Sequence, residues 1–403
     1  MAPARKQKGT DSRTRQTSQP RGRGGASGST GITAMRQRPE AHGFILPTEL
    51  PQQILDIFLR AFPLNHSQVD LNATIQHVKG HLFQRDFAGA FAKPEYLDAY
   101  ALRWSAGRAL GYTSIFLHDD LERVWNRPGE TATAAPNTNA SPLATPALLS
   151  HAASACTVVC IGGGGGAEVA ACAATARTLS LTTGRLCVHV VDIADWSACL
   201  SKLENTLYTP PPLSSYATES VKAANKPFTT SDEFSVRFHQ HDILAIDEAD
   251  LQSILRGAHL CTIMFTLNEL FTASISRTTA FLLALTDIMS PGTWLLVVDS
   301  PGSYSEVTVG SGSSAPQGQR EDAGDTNTKT RRYPMKWLLD HTLLDVAGKA
   351  EEGGSKWRKL VSDDSRWFRL SQQQPLKYPV ELENMRYQIH LYQRIQQGEG
   401  EDT

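Results

Sequence analysis

Five consecutive glycines, Gly162–Gly166, constrain the fold of this chain more than any other feature. The segment before them, CTVVCI (156–161), has the length and composition of a buried β-strand, and the segment after them, AEVAACAATARTL (167–179), has apolar residues at helical spacing. Glycine tolerates positive φ and lets the backbone approach a ligand, and doubly wound sheets bind nucleotide-like ligands at such strand-to-helix turns. We therefore interpret the run as a ligand-binding turn, rather than as a flexible spacer.

Apolar segments after the glycine run predict further strands that alternate with helices. They are CVHVVD (187–192), SVRFHQHD (235–242), HLCTIMFT (259–266) and GTWLLVVD (292–299), and SRTTAFLLALTDIM is a helix between the last two. A polar insertion near 205–232 precedes the third strand. The helix after the glycines is predicted to bury one face, made of Val169, Cys172, Ala173, Ala176 and Leu179. Strands separated by helices pair in parallel through right-handed crossovers.

The last strands are predicted to run differently. RWFRL (366–370) and MRYQIHLYQRI (385–395) are two strand candidates with no helix between them, so they should close the sheet as an antiparallel hairpin. The predicted fold class is therefore α/β, with a doubly wound, mostly parallel, seven-stranded Rossmann-like sheet. A helical N-terminal region is predicted to precede it, because Ile54, Ile57, Phe58 and Phe62 repeat at helical spacing.

Composition divides the chain into regions. We predict a disordered basic tail (1–43), the helical region (44–126), a linker (127–147) and the sheet domain (148–403) with a disordered insertion (310–331). Residues 1–40 hold nine Lys/Arg against Asp11 and Glu40, although the whole chain has a net charge of -2. A basic tail on an acidic body is typical of a polyanion-binding protein, and the alternative is that the tail only maintains solubility.

Composition also argues against several classes of protein. No apolar run approaches the ~18 residues that span a bilayer, and the first residues lack the apolar core of a signal peptide. The six cysteines form no C-x-x-C pair and most lie in apolar segments, so we expect buried free thiols rather than a zinc site or a disulfide framework. The expected protein is soluble and intracellular, without membrane or metal.

The glycines by themselves leave two cofactors open. Gly162, Gly164 and Gly166 give G-x-G-x-G, which is usual for S-adenosylmethionine (SAM). Gly162, Gly164 and Ala167 give G-x-G-x-x-A, which is tolerable for NAD. A phosphate-binding P-loop is excluded, because no Gly-Lys-Ser/Thr follows.

Three further features favour SAM. Glu168 at the start of the helix would repel a pyrophosphate, but it would attract the ammonium and sulfonium groups of SAM. The chain has no Tyr-x-x-x-Lys pair or other evident hydride-transfer site. The terminal hairpin suits a methyltransferase sheet better than a second dehydrogenase domain.

Polar residues at strand ends complete the predicted cofactor site. Asp192 ends the second predicted strand, where a carboxylate can accept hydrogen bonds from ribose hydroxyls. Asp242 ends the third and could accept from the adenine amino group, and Ile243 could pack on the adenine face. The alternative for Asp192 is a solvated acid at the end of a strand, and Asp242 has a similar alternative, because Asp is common where strands stop.

The segment FTLNELF follows the fourth predicted strand and should face the substrate. Its polar residues are Thr266, which we place in the cofactor site, and Asn268 and Glu269, which we place in the catalytic site. The alternative for Asn268 is a helix cap. The segment after the fifth strand, DSPGSYSEV, is also predicted to face the cleft, through Asp299, Ser300 and Tyr304.

The helical region contains YLDAYALRWSAGRALGY (96–112), which is dense in Tyr, Arg and Trp. Its candidates for stacking on bases or pairing with phosphates are Tyr100, Arg103, Trp104, Arg108 and Tyr112. The alternative is that these aromatic residues pack between helices with arginines exposed beside them.

Together, HVKGHLFQRDFAGAF, EYLDAYALRWSAGRALGYTSIF, VVCIGGGGGAE, FTLNELF and DSPGSYSEV resemble the fungal 25S ribosomal RNA (uridine-N(3)) methyltransferases. The resemblance covers most of residues 50–310 and the C-terminal strands. It implies methyl transfer from SAM to N(3) of a uridine in large-subunit RNA, with Gly162, Gly164, Gly166 and Asp192 at the SAM positions. Cys160 replaces the acid that usually precedes the first glycine by two residues, and we propose Glu168 as its substitute.

This resemblance also implies a chemistry and a cellular setting. Uridine N(3) must lose its proton, for which Glu269 is the candidate acceptor, while Asn268 would contact a carbonyl. The partner would be large-subunit ribosomal RNA or a pre-ribosome, in the nucleus or nucleolus and also the cytoplasm. The competing hypotheses are an NAD-linked oxidoreductase and a catalytically idle RNA-binding assembly factor.

Overall fold

A computed structural model describes residues 46–64, 68–126, 155–179, 185–302, 304–308, 330–349, 355–372 and 375–396. The predicted tail (1–43) and linker (127–147) lie outside these residues. The predicted insertion (310–331) also lies outside them up to residue 329, but its last two residues belong to a strand.

Six α-helices come before the first strand in this part of the chain. They are α1 (Leu50–Ala61), α2 (Gln68–Phe83), α3 (Phe87–Ala90), α4 (Pro94–Tyr100), α5 (Ala106–Phe116) and α6 (Glu122–Trp125). A π-helical turn, Ala101–Ser105, joins α4 to α5 without interrupting the helix. The predicted apolar face of α1 is confirmed, because Ile54, Ile57 and Phe58 are buried.

The first five strands alternate with helices, as predicted. They are β1 (Cys156–Ile161), β2 (Leu186–Asp192), β3 (Phe234–Gln240), β4 (Leu260–Met264) and β5 (Trp294–Asp299). The intervening helices are α7 (Ala167–Leu179), α8 (Ser197–Tyr208), α9 (Glu219–Ala224), α10 (Glu248–Leu255), α11 (Leu267–Ala273) and α12 (Ile275–Ile288). All of their pairings are parallel, so their carboxyl ends meet at one edge of the sheet.

The C-terminal strands close the sheet. They are preceded by a separate pair, β6 (Tyr304–Thr308) and β7 (Thr330–Pro334), and by α13 (Met335–Asp340), a π-turn (His341–Val346) and α14 (Ala347–Lys349). Then β8 (Trp357–Phe368) and β9 (Met385–Arg394) form an antiparallel hairpin, and β9 also pairs antiparallel with β5. The seven-stranded order is β3-β2-β1-β4-β5-β9-β8, which confirms the predicted fold class.

Each face of the sheet is covered by helices. Helices α1, α5, α7 and α8 share one apolar core with the first face, and α10, α11, α12 and α13 share a second core with the other face. Every residue of β4 and β5 is buried, as expected for central strands that are covered on both sides. Helices α1 and α5 of the N-terminal region therefore belong to the same core as the first face of the sheet.

Several sequence predictions need correction. Leu179 is 42% exposed, because α7 ends beyond the region that its neighbours cover. The supposed insertion at 205–232 contains the end of α8 and all of α9. Strand β8 begins at Trp357, well before the predicted 366, because its alternating charged residues suit an exposed edge strand.

Three properties of the described residues bear on function. Five of the six cysteines are buried, and none of the six forms a disulfide within the described residues. Among the helices that the structure describes, none is both long and apolar enough to cross a membrane. In the same residues, no group of three or more His, Cys, Asp or Glu side chains is placed to hold a metal ion.

Candidate cofactor and active site

The glycine turn is packed tightly by protein on several sides. Gly162 and Gly166 both have φ of 78°, a conformation that favours glycine. A Cβ atom at Gly164 would overlap the indole ring of Trp196, and one at Gly165 would lie 2.6 Å from Ser105 Oγ in the π-turn. The run is therefore required by the protein's own packing, in addition to any ligand.

Asp192 lies where the sequence predicts, at the carboxyl end of β2 beside this turn. Its Oδ2 accepts a hydrogen bond from the Gly164 N–H at 3.0 Å, and its Oδ1 accepts one from the Ala194 N–H at 3.2 Å. Burial raises the pKa of the carboxyl group, although these N–H donors oppose the shift. The carboxylate thus fixes the turn and keeps lone pairs for a ligand diol.

Asp242 and Ile243 differ from the prediction in detail. Strand β3 ends at Gln240, so Asp242 lies in the following turn, where its Oδ1 accepts a hydrogen bond from the Leu244 N–H at 3.0 Å. Such turns are a common local role for Asp. Ile243 is 7% exposed and packs in the second core, so little of its surface is available to a ligand. The two residues still lie at the same sheet edge as Asp192, because His241 N–H donates to the Asp192 carbonyl.

Glu168 is buried beneath the turn rather than exposed at the start of α7. It is 2% exposed, and its Oε1 accepts a hydrogen bond of 2.5 Å from Thr262 Oγ1 on β4. A Cβ atom at Gly163 would lie 2.7 Å from Glu168 Oε2 and 2.9 Å from Cys160 Cβ. The carboxyl group of Glu168 thus reaches the space beside Cys160, where the sequence lacks the usual acid.

Burial raises the pKa of Glu168 to about 8, against an ordinary value of 4.5. The folded protein therefore favours the neutral acid, and this contribution to stability is complete below about pH 4.5 and is lost as the pH rises to about 8. In the unaltered protein the free energy of unfolding should fall by at most about 5 kcal/mol over this range. In Glu168→Gln this fall should be much smaller. Urea unfolding at a series of pH values measures it, with the exposed Glu248→Gln as the control. Equal pH slopes in Glu168→Gln and the unaltered protein would contradict this role.

A strained residue follows β4. Phe265 has φ of 57°, which is unusual for a bulky side chain and typical of functional sites. Its ring stacks on Tyr112 with centroids 6.2 Å apart, and the guanidinium of Arg108 lies 5.0 Å from its centroid. Helix α5 therefore meets the end of β4, and the contact brings a cation there.

Arg108 is the cation of this region. Its Nη1 donates to the Tyr100 hydroxyl at 2.9 Å, and a Cβ atom at Gly165 would lie 2.9 Å from the Tyr100 ring. Burial opposes the charge of Arg108, but the oxygens of Tyr100 and Tyr112 outweigh burial and raise its pKa above the ordinary value. Within the described residues Arg108 forms no ion pair, which is uncommon for a partly buried cation.

The polar residues after β4 take different positions. Thr266 packs on Gly162 and precedes α11 without capping it through its side chain. Asn268 lies inside the first turn of α11, so its side chain is not the helix cap. Its Oδ1 is buried and has no hydrogen-bond partner in the part of the chain that the structure describes. Glu269 is 35% exposed, and its Oε2 lies 3.6 Å from Arg85 Nη1.

Asp299 does not face the cleft. It is 3% exposed, and its Oδ2 accepts a hydrogen bond from the Asn268 N–H at 3.0 Å while its Oδ1 accepts one from Ser300 N–H at 2.7 Å. Burial raises the pKa of Asp299 to about 6. The residue therefore positions α11. Ser300 is exposed, and the side chain of Tyr304 lies outside the described part of the chain.

Trp196 is a site residue that sequence reasoning missed. It is 1% exposed, lies on Gly164, and packs against Phe91 and Tyr100 with ring centroids 5.0 and 5.6 Å away. Its position four residues after Asp192 was the available signal. Of the other aromatic candidates, Trp104 packs on Tyr100 with centroids 5.2 Å apart.

A comparison with known protein families identifies the class of enzyme to which this chain belongs. A family model described as "Putative SAM-dependent methyltransferase" matches residues 58–393, which is most of the chain. The chain belongs to this family. The cofactor of this methyltransferase is therefore SAM, and the NAD-linked alternative is set aside.

Individual relatives of the methyltransferase extend the comparison. It is 28% identical over 368 residues to the 25S rRNA (uridine(2843)-N(3))-methyltransferase of Saccharomyces cerevisiae, covering 85% of each chain. Among solved structures, an O-methyltransferase family protein from Burkholderia thailandensis is 12% identical, with 83% of this chain and 72% of that chain covered and a TM-score of 0.39. The 16S rRNA (adenine(1408)-N(1))-methyltransferase of Catenulisporales acidiphilia is 14% identical, with 60% and 90% covered and a TM-score of 0.29.

The residues of the methyltransferase fit SAM chemically. The carboxylate of Asp192 suits a ribose diol, and the acid of Glu168 suits positive charge. Arg108 supplies a cation without an ion pair in the described region, and Asn268 supplies a buried oxygen without a partner there. Buried polar groups are normally hydrogen-bonded, so a polar, charged ligand would supply the partners that Arg108 and Asn268 lack within the described residues.

Proposed function

We propose that this methyltransferase transfers the methyl group of SAM to N(3) of a uridine in large-subunit ribosomal RNA. The observation that carries the proposal is the 28% identity, over 85% of both chains, to the yeast uridine-N(3) methyltransferase. A match of this coverage includes the glycine turn, Asp192 and the segment after β4. We also propose that the enzyme works in the nucleus or nucleolus, as this substrate requires, and in the cytoplasm.

We assign the cofactor contacts as follows. Gly162, Gly164 and Gly166 shape the turn under the cofactor, and Asp192 accepts hydrogen bonds from the ribose. Glu168 provides the acid that Cys160 does not supply, and the positive charge of the cofactor beside it would favour its ionised form. The adenine and the glycine turn are bordered by Asp242, Ile243 and Thr266. Asp242 and Ile243 have less surface free for the cofactor than the sequence suggests, because Asp242 is hydrogen-bonded within its turn and Ile243 is buried.

Arg108 is assigned to the carboxylate of the cofactor's amino-acid part. The neighbouring acids Glu168 and Asp192 suit the positive and diol groups of the cofactor, which leaves its carboxylate as the natural partner of the guanidinium. Tyr100 holds Arg108 beside Gly165 through the 2.9 Å hydrogen bond.

The Arg108 assignment predicts a loss of cofactor affinity. Loss of a charge-assisted hydrogen bond in a partly buried site costs about 1.5–3 kcal/mol, so Arg108→Gln should raise the Kd for SAM by about 10–150-fold. Calorimetric titration with SAM measures this directly. Arg103→Gln is the matched control on the same helical stretch, because Arg103 pairs with Glu383 and should not affect the Kd. An unchanged Kd in Arg108→Gln would remove the assignment.

The chemical step uses the residues after β4. Bound SAM supplies a methyl group on a positively charged sulfur. Glu269 accepts the proton from uridine N(3), whose electron pair then forms the N–CH₃ bond while the S–CH₃ bond breaks and its electrons stay on sulfur. The Asn268 amide contacts a carbonyl beside N(3) and orients the base. N(3) lies on the pairing edge, so the uridine must be unpaired or flipped out.

A test of the proposed substrate compares ribosomal RNA from cells with and without the gene. Nucleosides of the large-subunit RNA, separated and weighed by mass spectrometry, should contain less 3-methyluridine in the deletion. Restoring the gene should return it, and an Asp192→Ala gene should not. If Asp192→Ala restores the modification fully, that result would support the alternative, which is an assembly factor without catalytic action. The basic tail (1–43) is proposed as an additional RNA contact.

A further inference from the structure

An exposed tryptophan on the C-terminal hairpin has two arginine guanidiniums over its ring. Trp367 on β8 is 41% exposed. The guanidinium of Arg369 lies 4.9 Å from its ring centroid, and that of Arg386 on β9 lies 5.7 Å away. Arg386 is oriented by a 3.0 Å hydrogen bond from its Nε to Ser365 Oγ. We call Trp367, Arg369 and Arg386 the hairpin platform.

The positive charge of the hairpin platform is not compensated within the hairpin strands. Strand β8 contains two acids and β9 contains none. Asp363 accepts from Arg366 Nε at 3.1 Å, and Asp364 pairs with Lys336 Nζ at 2.7 Å. Among the described residues, no carboxylate lies within ion-pair distance of Arg386, and the same holds for Arg369. Bases stack on aromatic rings and on the planes of arginine guanidiniums, and guanidiniums without an acidic partner can pair with phosphates, so the hairpin platform suits a single-stranded nucleic acid.

The hairpin platform lies at the sheet edge that carries the active site. Trp367 is opposite Arg386, which comes two residues before Gln388, and Gln388 is opposite Asp299 at the carboxyl end of β5. Strand spacing and rise place it roughly 12 Å from the backbone of Asp299. Asp299 in turn holds the backbone N–H of Asn268.

We propose that the hairpin platform binds the single-stranded RNA next to the target nucleotide, with a base stacked on Trp367 and phosphates on Arg369 and Arg386. Stacked nucleotides rise by about 3.4 Å each, so the base would lie a few nucleotides from the methylated one. This inference rests on the proposed function, because it takes RNA as the substrate.

The test is RNA binding by the full-length protein. The probe is a fluorescein-labelled oligouridine of about 20 nucleotides, followed by fluorescence anisotropy. Because stacking on an aromatic residue contributes about 1–3 kcal/mol per base, Trp367→Ala should raise the Kd by about 5–150-fold, and Trp367→Phe should recover most of the affinity. Arg369→Gln and Arg386→Gln should each lower the slope of log K against log salt by about 0.7.

Matched controls come from the same molecule. Trp337 on α13 is 48% exposed and already stacked between Tyr333 and His341, so Trp337→Ala should leave RNA affinity unchanged. Arg358 lies on β8 at the opposite end of the hairpin and hydrogen-bonds Gln393, so Arg358→Gln should leave the salt slope unchanged. Thermal melting verifies that each variant is folded.

Folded Trp367→Ala and Arg386→Gln proteins that bind the oligouridine like the unaltered protein would overturn the hairpin platform, even if 3-methyluridine is still made. Conversely, loss of affinity in these variants supports the hairpin platform even if the deletion strain keeps its 3-methyluridine, which would refute only the proposed uridine chemistry.

Discussion

Gly164→Ala is expected to lower the affinity for SAM by at least about 100-fold. The new Cβ atom would overlap the Trp196 ring, which is itself confined by Phe91 and Tyr100, so the ring cannot move aside without disturbing the cluster. Overpacking of this kind typically costs 1–3 kcal/mol or more, and here the shift would also break the bond from Gly164 N–H to Asp192. The overlap and the lost hydrogen bond both affect Gly164 and Asp192, which we assign to cofactor binding.

The control for Gly164→Ala is Gly80→Ala. Gly80 lies inside α2, and a Cβ atom there would meet nothing within 4 Å. Alanine is favoured over glycine in a helix by about 1 kcal/mol, so this variant should be slightly more stable and should bind SAM normally. Calorimetric titration and thermal melting measure both properties. If Gly164→Ala binds SAM as the unaltered protein does, the turn does not form the cofactor site.

Glu269→Gln is expected to lower kcat for RNA methylation by about 10²–10⁴-fold, the usual contribution of a positioned base. The amide keeps the size of the side chain but cannot take the proton from N(3). Single-turnover methylation with SAM in excess isolates the chemical step. The Kd for SAM should stay unchanged, since the proposed role concerns only the nucleotide.

Two further variants accompany Glu269→Gln as comparisons. Arg85→Gln removes the cation 3.6 Å from Glu269 but not the carboxylate, so it should reduce the rate much less. Asn268→Ala removes the unpartnered oxygen and should lower the rate without changing its pH dependence. A rate within a few-fold of the unaltered enzyme in Glu269→Gln would assign the proton transfer elsewhere.

Much of the fold followed from the sequence because the central strands are continuous apolar segments with helices between them. The elements that were missed or predicted too short have weaker patterns. Strand β8 is an edge strand with alternating charges, and α13 follows a short strand pair beside a Gly- and Ser-rich segment. The π-turn at Ala101–Ser105 has no sequence signature, yet it presents Ser105 to the glycine turn.

The positions of the candidate site residues could be predicted in part for the same physical reason. The place of Asp192 at a strand end follows from where the apolar residues stop. The position of Glu168 beneath the turn could not be predicted, because its burial depends on Thr262 from a distant strand. Trp196 and Phe265 were missed, because a buried tryptophan and a positive φ are recognised only once the neighbouring elements are in place.

Methylation in vitro tests the central claim most directly. The full-length enzyme, SAM with a deuterated methyl group and large-subunit RNA from a deletion strain are incubated together, and the nucleosides are weighed by mass spectrometry. We expect deuterated 3-methyluridine with the unaltered enzyme and none with Asp192→Ala. The label in another nucleoside, or equal label with Asp192→Ala, would contradict the account.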